Sequence, residues 1–416
     1  MTWLHPHSAV ADTTDAADNA ALMLADMAPV IERSAASTWK IVGEFNTGLN
    51  DLSGVTSVGS GAQAFARESL SVRYQGNLSR DWSAVFASRV DAYQYSTRGG
   101  GAINSLQEAY LGWRVTDNHS LRFGRINLRN GVGIGYNPTD YFRTGAIRSQ
   151  VSFVPFAQRE GRLGAVMLDG QRLWDGGAFN FQYSPDLAQR PSSAHFSPDF
   201  GTTNNMTRWL ASMTVRLSPD IQPQFLVFKQ AGQSAQFGLN LTSLEGNSTV
   251  VYLDASVGRK PGLLDVALGQ RMNEAWHAQF ATGATYTTAF NLSVTLEYEH
   301  DTSSLNEVGW KRLVTSSPAV QQQFSNYVTS SQELPTRNAA FVYASWKDAG
   351  VRKLDFSALM RYELVTKSMQ YWSEARYHWD RVDLAFQYLR NSGPTSSVYG
   401  SMGQRQSWQV ILDCYY

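Results

Sequence analysis

Seven histidines, one cysteine and one glycine-rich stretch are the residues of this chain whose types could do covalent, metal or cofactor chemistry. The histidines are His5, His7, His119, His195, His277, His300 and His378, and of these His277, His300 and His378 fall in segments with a strand-like period. Neither His-x-x-x-His nor Cys-x-x-Cys spacing occurs, so the sequence offers no ready metal cage. Cys414 stands alone and can form no intramolecular disulfide. A Gly-x-Ser-x-Gly elbow is absent. His300-Asp301 is a carboxylate–imidazole pair at a strand end, of a kind that arises readily by chance. Gly131, Gly133 and Gly135 lack the spacing of a dinucleotide fingerprint, and no helical pattern follows them. The expectation is a protein that is not an enzyme and holds no cofactor.

The charged residues tell more. The chain has 416 residues with 35 Lys+Arg against 35 Asp+Glu, and only 17% of it is charged. A surface without net positive charge excludes binding to nucleic acid through phosphates. Low charge accompanies a mean hydropathy of −0.30 together with 12 Trp, 19 Tyr and 20 Phe, which is too aromatic for a disordered chain. Alternating apolar and polar residues with few charges and many aromatics suit a closed barrel with lipid outside and water inside. No run of 18 apolar residues exists to form a membrane-spanning helix.

The elements that would position these residues follow a period of two from Trp39 onward. In Phe290–His300 the residues Phe290, Leu292, Val294, Leu296 and Tyr298 alternate with Asn291, Ser293, Thr295, Glu297 and Glu299. Such alternation marks a strand with one apolar and one polar face. Segments of about ten residues match the reach of a tilted strand across a bilayer. Counting them predicts about 18 strands (16–18), all antiparallel and all-β, over residues 39–416. Short polar turns such as Ser79-Arg80-Asp81 and Ser218-Pro219-Asp220 alternate with longer connections such as Arg129–Glu160 and Asp301–Thr336. Trp82, Trp113, Trp209, Trp276, Trp346, Trp379 and Trp408 lie near predicted strand ends, where amphipathic rings settle at headgroup level. Residues 1–11 end in Ser8-Ala9-Val10-Ala11, which reads as a remnant of a secretory cleavage region, and residues 12–38 as a short helical segment, periplasmic or plug-like.

The rhythm of short turns and long loops resembles that of Gram-negative outer-membrane β-barrels. Gln406–Tyr416 (QSWQVILDCYY) is similar to the aromatic-terminated last strand that the insertion machinery of such barrels recognises, with Tyr416 where Phe is usual. Phe123–Arg143, with a Gly-Arg at a strand end and an Asn-Pro-x-Asp following, resembles a stretch of porin-like and alginate- or polysaccharide-export-like barrels. The resemblance implies a bacterial outer-membrane location. It also implies that the third long loop folds inward as a constriction, with Arg129, Tyr136, Asp140, Arg143 and Arg148 as its candidate residues; a loop packed over the barrel is the alternative.

With apolar residues facing lipid, their neighbours line the lumen and set function. The expected lining of the first half is Arg73, Arg89, Arg114, Arg122, Arg162, Arg208 and Arg216, with Asp91 and Glu108 as its acids. That of the second half is Asp254, Glu297, Glu299, Asp355, Glu363, Glu374 and Asp383, opposed by Arg361 and Arg376. Two arrangements are open: a transverse field between a cationic and an anionic wall, or ion-pair ladders that brace or plug the barrel. The function expected is passive or substrate-selective passage of small polar solutes. The alternatives are a pore exporting a polysaccharide or other polymer, and a structural part of a secretion or assembly system. Expected partners are the lipid bilayer and lipopolysaccharide, the small solute or polymer, further copies of the chain, and a periplasmic protein docked on residues 12–38.

Overall fold

The computed structural model describes residues 38–416, apart from 53–60, 98, 150–151, 193, 195, 219–220 and 271–272. The cleavage region and the helical segment expected before Thr38 lie outside the described residues. The strands are β1 (Thr38–Leu52), β2 (Gly61–Asn77), β3 (Trp82–Tyr95), β4 (Gly99–Thr116), β5 (His119–Ile126) and β6 (Ala165–Trp174). They continue with β7 (Gly177–Ser184), β8 (Arg208–Val215), β9 (Gln224–Gln230), β10 (Gln236–Glu245), β11 (Thr249–Lys260) and β12 (Ala275–Thr287). The last are β13 (Leu292–Asp301), β14 (Asn338–Trp346), β15 (Leu354–Glu363), β16 (Ser368–His378), β17 (Val382–Ser392) and β18 (Gln404–Tyr415). Each pairs antiparallel with its sequence neighbours, and β1 closes the 18-stranded sheet by pairing with both β2 and β18. At the seam Val42 lies opposite Ser71 on one side and Tyr415 on the other. Closure satisfies every edge, the condition for a sheet to sit in hydrocarbon.

Alternation decides which side of each strand meets lipid. On β13 Leu296 and Tyr298 are exposed, whereas Thr295, Glu297 and Glu299 between them are buried. The seven tryptophans expected at the headgroup level are all exposed, and Trp82 and Trp113 stack with centroids 5.6 Å apart. At the seam Trp408, Val410 and Leu412 face outward and Asp413 inward.

Connections after even-numbered strands are short, while most after odd-numbered ones are longer, the layout that sets a periplasmic end against an extracellular one. One differs from expectation. The link expected over Ser96–Asn104 is short, because Gly99–Gly101 extend β4 although they have no side chains to show its period. The long connections hold short helices: α1 (Pro155–Glu160), α2 (Phe200–Thr203), α3 (Leu263–Ala267), α4 (Glu307–Val314) and α5 (Pro318–Ser331). Asn306 and Ser317 cap α4 and α5 by accepting bonds from Gly309 N and Val320 N. With α3, these helices form an apolar cluster around Leu263, Leu313 and Phe324.

Candidate functional site: a lumen filled by one loop and the passage beside it

The connection between β5 and β6 runs through the inside of the barrel. Its Val132 and Ile134 pack against inward side chains of Val250, Tyr252, Phe341, Tyr343, Leu359, Trp372 and Leu389, with Phe153, Val154 and Phe156 against the same cluster. Phe142 joins a second cluster with Leu210, Leu226 and Phe228, while Tyr141 stacks on Phe228 at 4.5 Å. Burying apolar side chains on both partners draws the loop against the wall. This apolar interior was not expected from a lumen read as uniformly wet.

Polar contacts fix the loop's path. The Glu297 carboxylate accepts the backbone N–H groups of Ile134, Gly135 and Tyr136 at 2.7, 3.1 and 2.9 Å, and the Tyr252 hydroxyl at 2.6 Å. Asp254 accepts Val132 N and Thr139 N, each at 3.1 Å. Arg361 bridges the Gly135 carbonyl at 2.5 Å and Glu299 at 3.0 Å. Two glycines allow the approach. Gly131 has φ +87°, and a Cβ there would strike the Asp254 carboxylate; a Cβ on Gly135 would meet the Phe341 ring at 2.6 Å and the Glu299 carboxylate.

The loop's own charges are tied off as well. Arg162 pairs with Asp140 at 2.7 Å, both nearly fully buried. Arg143 pairs with Glu333 at 2.7 Å beyond the end of α5 and donates to the Ser331 carbonyl. Burial pulls the Arg143 pKa down, but Glu333, Tyr136 and Asp140 outweigh it and hold the guanidinium charged. The Tyr136 hydroxyl donates to Glu333 at 2.9 Å; burial and that carboxylate raise its pKa well above the ordinary value, so it remains a donor. Arg148 pairs with Asp199 at 3.2 Å in the β7–β8 connection, and Arg129 with Glu160 at 3.2 Å in a more exposed setting.

The strand residues expected in the lining divide into groups. Arg73 faces Glu108 at 2.6 Å, Arg89 faces Asp91 and Glu44 at 2.8 and 3.0 Å, and Arg122 faces Asp169 at 2.7 Å. A few strands further round the same side, Arg376 touches Glu374 at 2.9 Å, Asp413 at 2.6 Å and Asp383 at 3.6 Å, and His378 lies between Asp355 and Asp383. Glu363 accepts a bond from the Thr336 hydroxyl. Cations and acids thus meet on the same wall, in contact pairs, and the separate cationic and anionic walls are not formed. Three expected positions sit away from the middle of the wall. Arg216 is exposed in the turn after β8, where the chain has left the barrel wall, and its backbone N–H bonds the Gly176 carbonyl. Arg114 sits at the short-turn end of β4, against Asp81 at 3.6 Å and the Arg80 carbonyl. Arg162 precedes β6 and belongs to the internal loop, since Gly164 closes against Gln107 and Ile126 before the strand begins. Arg208, at the start of β8, lies beneath Phe142 and donates to the Thr203 carbonyl rather than to an acid. Glu44, Arg67, Asp169 and Asp413 complete these pairs but were not among the expected lining. Their inward phase on strands already recognised is the signal that would have found them.

The loop leans on the wall from β8 to β17, and beside it lies a cavity of about 250 Å³ along β16, β17, β18, β1, β2 and β3. The fold and this internal loop bear directly on the comparison with known proteins. Residues 40–133 match the family described as phosphate-selective porin O and P. OccK5 (OpdH) of Pseudomonas aeruginosa superposes with a TM-score of 0.56 at 9% identity, over 91% of this chain and 98% of that one. OccAB4 of Acinetobacter baumannii gives 0.57 at 8% identity, over 92% and 99%. The fold is that of a porin-like outer-membrane barrel. Its setting is the bacterial outer membrane. OccAB1 of Acinetobacter baumannii shares this porin-like fold, with a TM-score of 0.56 at 10% identity over 91% of this chain and 96% of that one. No curated protein matches the sequence at a significant level.

Proposed function

We propose that this porin-like barrel is a channel through which small polar solutes cross the outer membrane, along an Arg- and acid-lined passage narrowed by the loop of residues 127–164. The observation that carries this reading is the loop's attachment to the wall from β8 to β17, with a cavity of about 250 Å³ left beside it. Paired charges keep the passage polar and hydrated while leaving little net field across it, so solutes are sorted chiefly by size and hydrogen-bonding capacity. The family matched over residues 40–133 is described as phosphate-selective. In this chain Arg67, Arg73, Arg89 and Arg122 each lie against a carboxylate, an arrangement that weakens the pull on an added anion. Apolar packing of the loop argues against a polymer-export pore, which needs a wide clear bore.

Swelling of proteoliposomes in sugars and amino acids of increasing size tests the proposal. Fast swelling with monosaccharides and small amino acids, declining steeply with solute size, is the expected result. Swelling no faster than that of protein-free liposomes for every solute would refute the channel.

A further inference from the structure

The cavity beside the loop has a lining whose chemistry selects among polar solutes. Its middle is a strip of primary amides from three neighbouring strands: Gln387 on β17, Gln404 and Gln409 on β18, and Asn50 on β1. The strip is linked side to side. Gln404 Nε2 donates to Asn50 Oδ1 at 3.0 Å, the Ser407 hydroxyl donates to the same oxygen at 2.7 Å, and Gln409 Nε2 donates to Gln387 Oε1. Asn46 Nδ2 donates to Gln409 Oε1 at 3.0 Å. These bonds hold the amides in place. A primary amide has two donor hydrogens and a two-lone-pair acceptor. Asn50 Oδ1 and Gln387 Oε1 already accept two bonds each, the latter also from Trp372 Nε1 at 3.4 Å, while among the described residues Asn50 Nδ2 keeps donor capacity and Gln404 Oε1 acceptor capacity.

Aromatic rings stand at both ends of the strip. Phe65 on β2 and Tyr95 on β3 lie 6.2 Å apart at one end; at the other, Phe153 of the internal loop packs against Trp372 of β16 at 6.3 Å. The one cation in the lining, Arg67, is held by Glu44 at 2.6 Å, and Glu44 also meets Arg89 at 3.0 Å. A phosphate or carboxylate is an acceptor only and calls for a surplus of donors and positive charge. A sugar hydroxyl donates and accepts at once, as amides do, and its C–H faces suit aromatic rings.

We propose that this cavity is a binding subsite for a neutral polyhydroxylated solute, a sugar of one or two rings, on its way through the barrel. The volume lies below the roughly 300–1,000 Å³ of pockets for drug-sized ligands, which fixes the size class. The inference rests on the channel reading for its purpose, but sugar binding is measurable whether or not the barrel conducts.

The test is equilibrium titration of the folded protein in a sugar-free detergent with glucose, maltose and inorganic phosphate at constant ionic strength, followed by tryptophan fluorescence. Single-channel recording with the same solutes accompanies it. Saturable millimolar binding of maltose, absent for phosphate, is expected, together with transient current block by maltose. Phe65→Ala and Asn50→Leu are each expected to weaken binding by roughly 3- to 10-fold, the loss of one ring or one amide contact. Lys311→Ala, on α4 outside the cavity, should leave it unchanged, and heat-resistant migration of all variants shows that they are folded. Equal or tighter binding of phosphate, or no sugar binding by folded protein, overturns the subsite even if the channel conducts. Sugar binding without conductance upholds the subsite and removes the channel reading.

Discussion

Glu297 shows what an inward carboxylate does in this barrel: it is a fastener. One side chain collects three consecutive loop amides and a phenol, four donors shared between its two oxygens. Glu297→Gln replaces an acceptor oxygen with a donor amide facing those same donors. It is expected to cost about 1–3 kcal/mol, the scale of a buried donor left without its acceptor. The readout is a lower urea midpoint in lipid, with greater open-channel current noise as the loop loosens; unchanged noise would mean that the loop is held by its apolar contacts alone. The Arg162–Asp140 pair makes a second prediction at this scale. Arg162→Met strands a buried carboxylate and is expected to cost about 3–5 kcal/mol, whereas adding Asp140→Asn should recover most of the loss. A double variant no more stable than the single one would show that the pair is not energetically coupled.

At the scale of elements, the strands were legible from the two-residue period because each one meets two solvents. The starts of β3, β7 and β12 fall where the alternation begins, at Trp82, Gly177 and Ala275. β4 is the informative exception, since Gly99–Gly101 pair with β3 through backbone alone and show no alternation. The inward course of the β5–β6 loop was available only through a resemblance, and its apolar seat was not foreseen. A signal existed: β11 places Val250 and Tyr252 inward as well as Val251 and Leu253 outward, and β14 has Phe341 and Tyr343 inward beside Val342. Strands apolar on both faces are covered on both faces, so these two strands had to meet protein inside the barrel. Which cation meets which acid was beyond reach, because that depends on shear between strands, which composition and period do not encode. Two substitutions test the two faces. Leu296→Arg on the lipid side of β13 is expected to cost about 2–4 kcal/mol if it lies near the midplane, read as reduced folding yield in vesicles. Gly131→Ala, inside, combines a left-handed backbone with a clash at Asp254 and should enlarge conductance by displacing the loop while leaving the strands assembled.

For the whole molecule, closure and obstruction work together. Eighteen strands enclose a lumen wide enough for water; one loop packs against its wall from β8 to β17, and the cavity beside it, from β16 round to β3, is lined by amides, rings and a paired charge. In the proposed channel the loop sets the size limit and the wall beside it the chemical preference. The most direct test of this division is single-channel conductance of the refolded protein in a planar bilayer at symmetrical salt, with insertion verified by protection of the barrel from protease. Discrete ohmic steps, enlarged in Gly131→Ala and Glu297→Gln, are the predicted result. A bilayer that stays at baseline current with the protein inserted, in the original chain and in both variants alike, would contradict it.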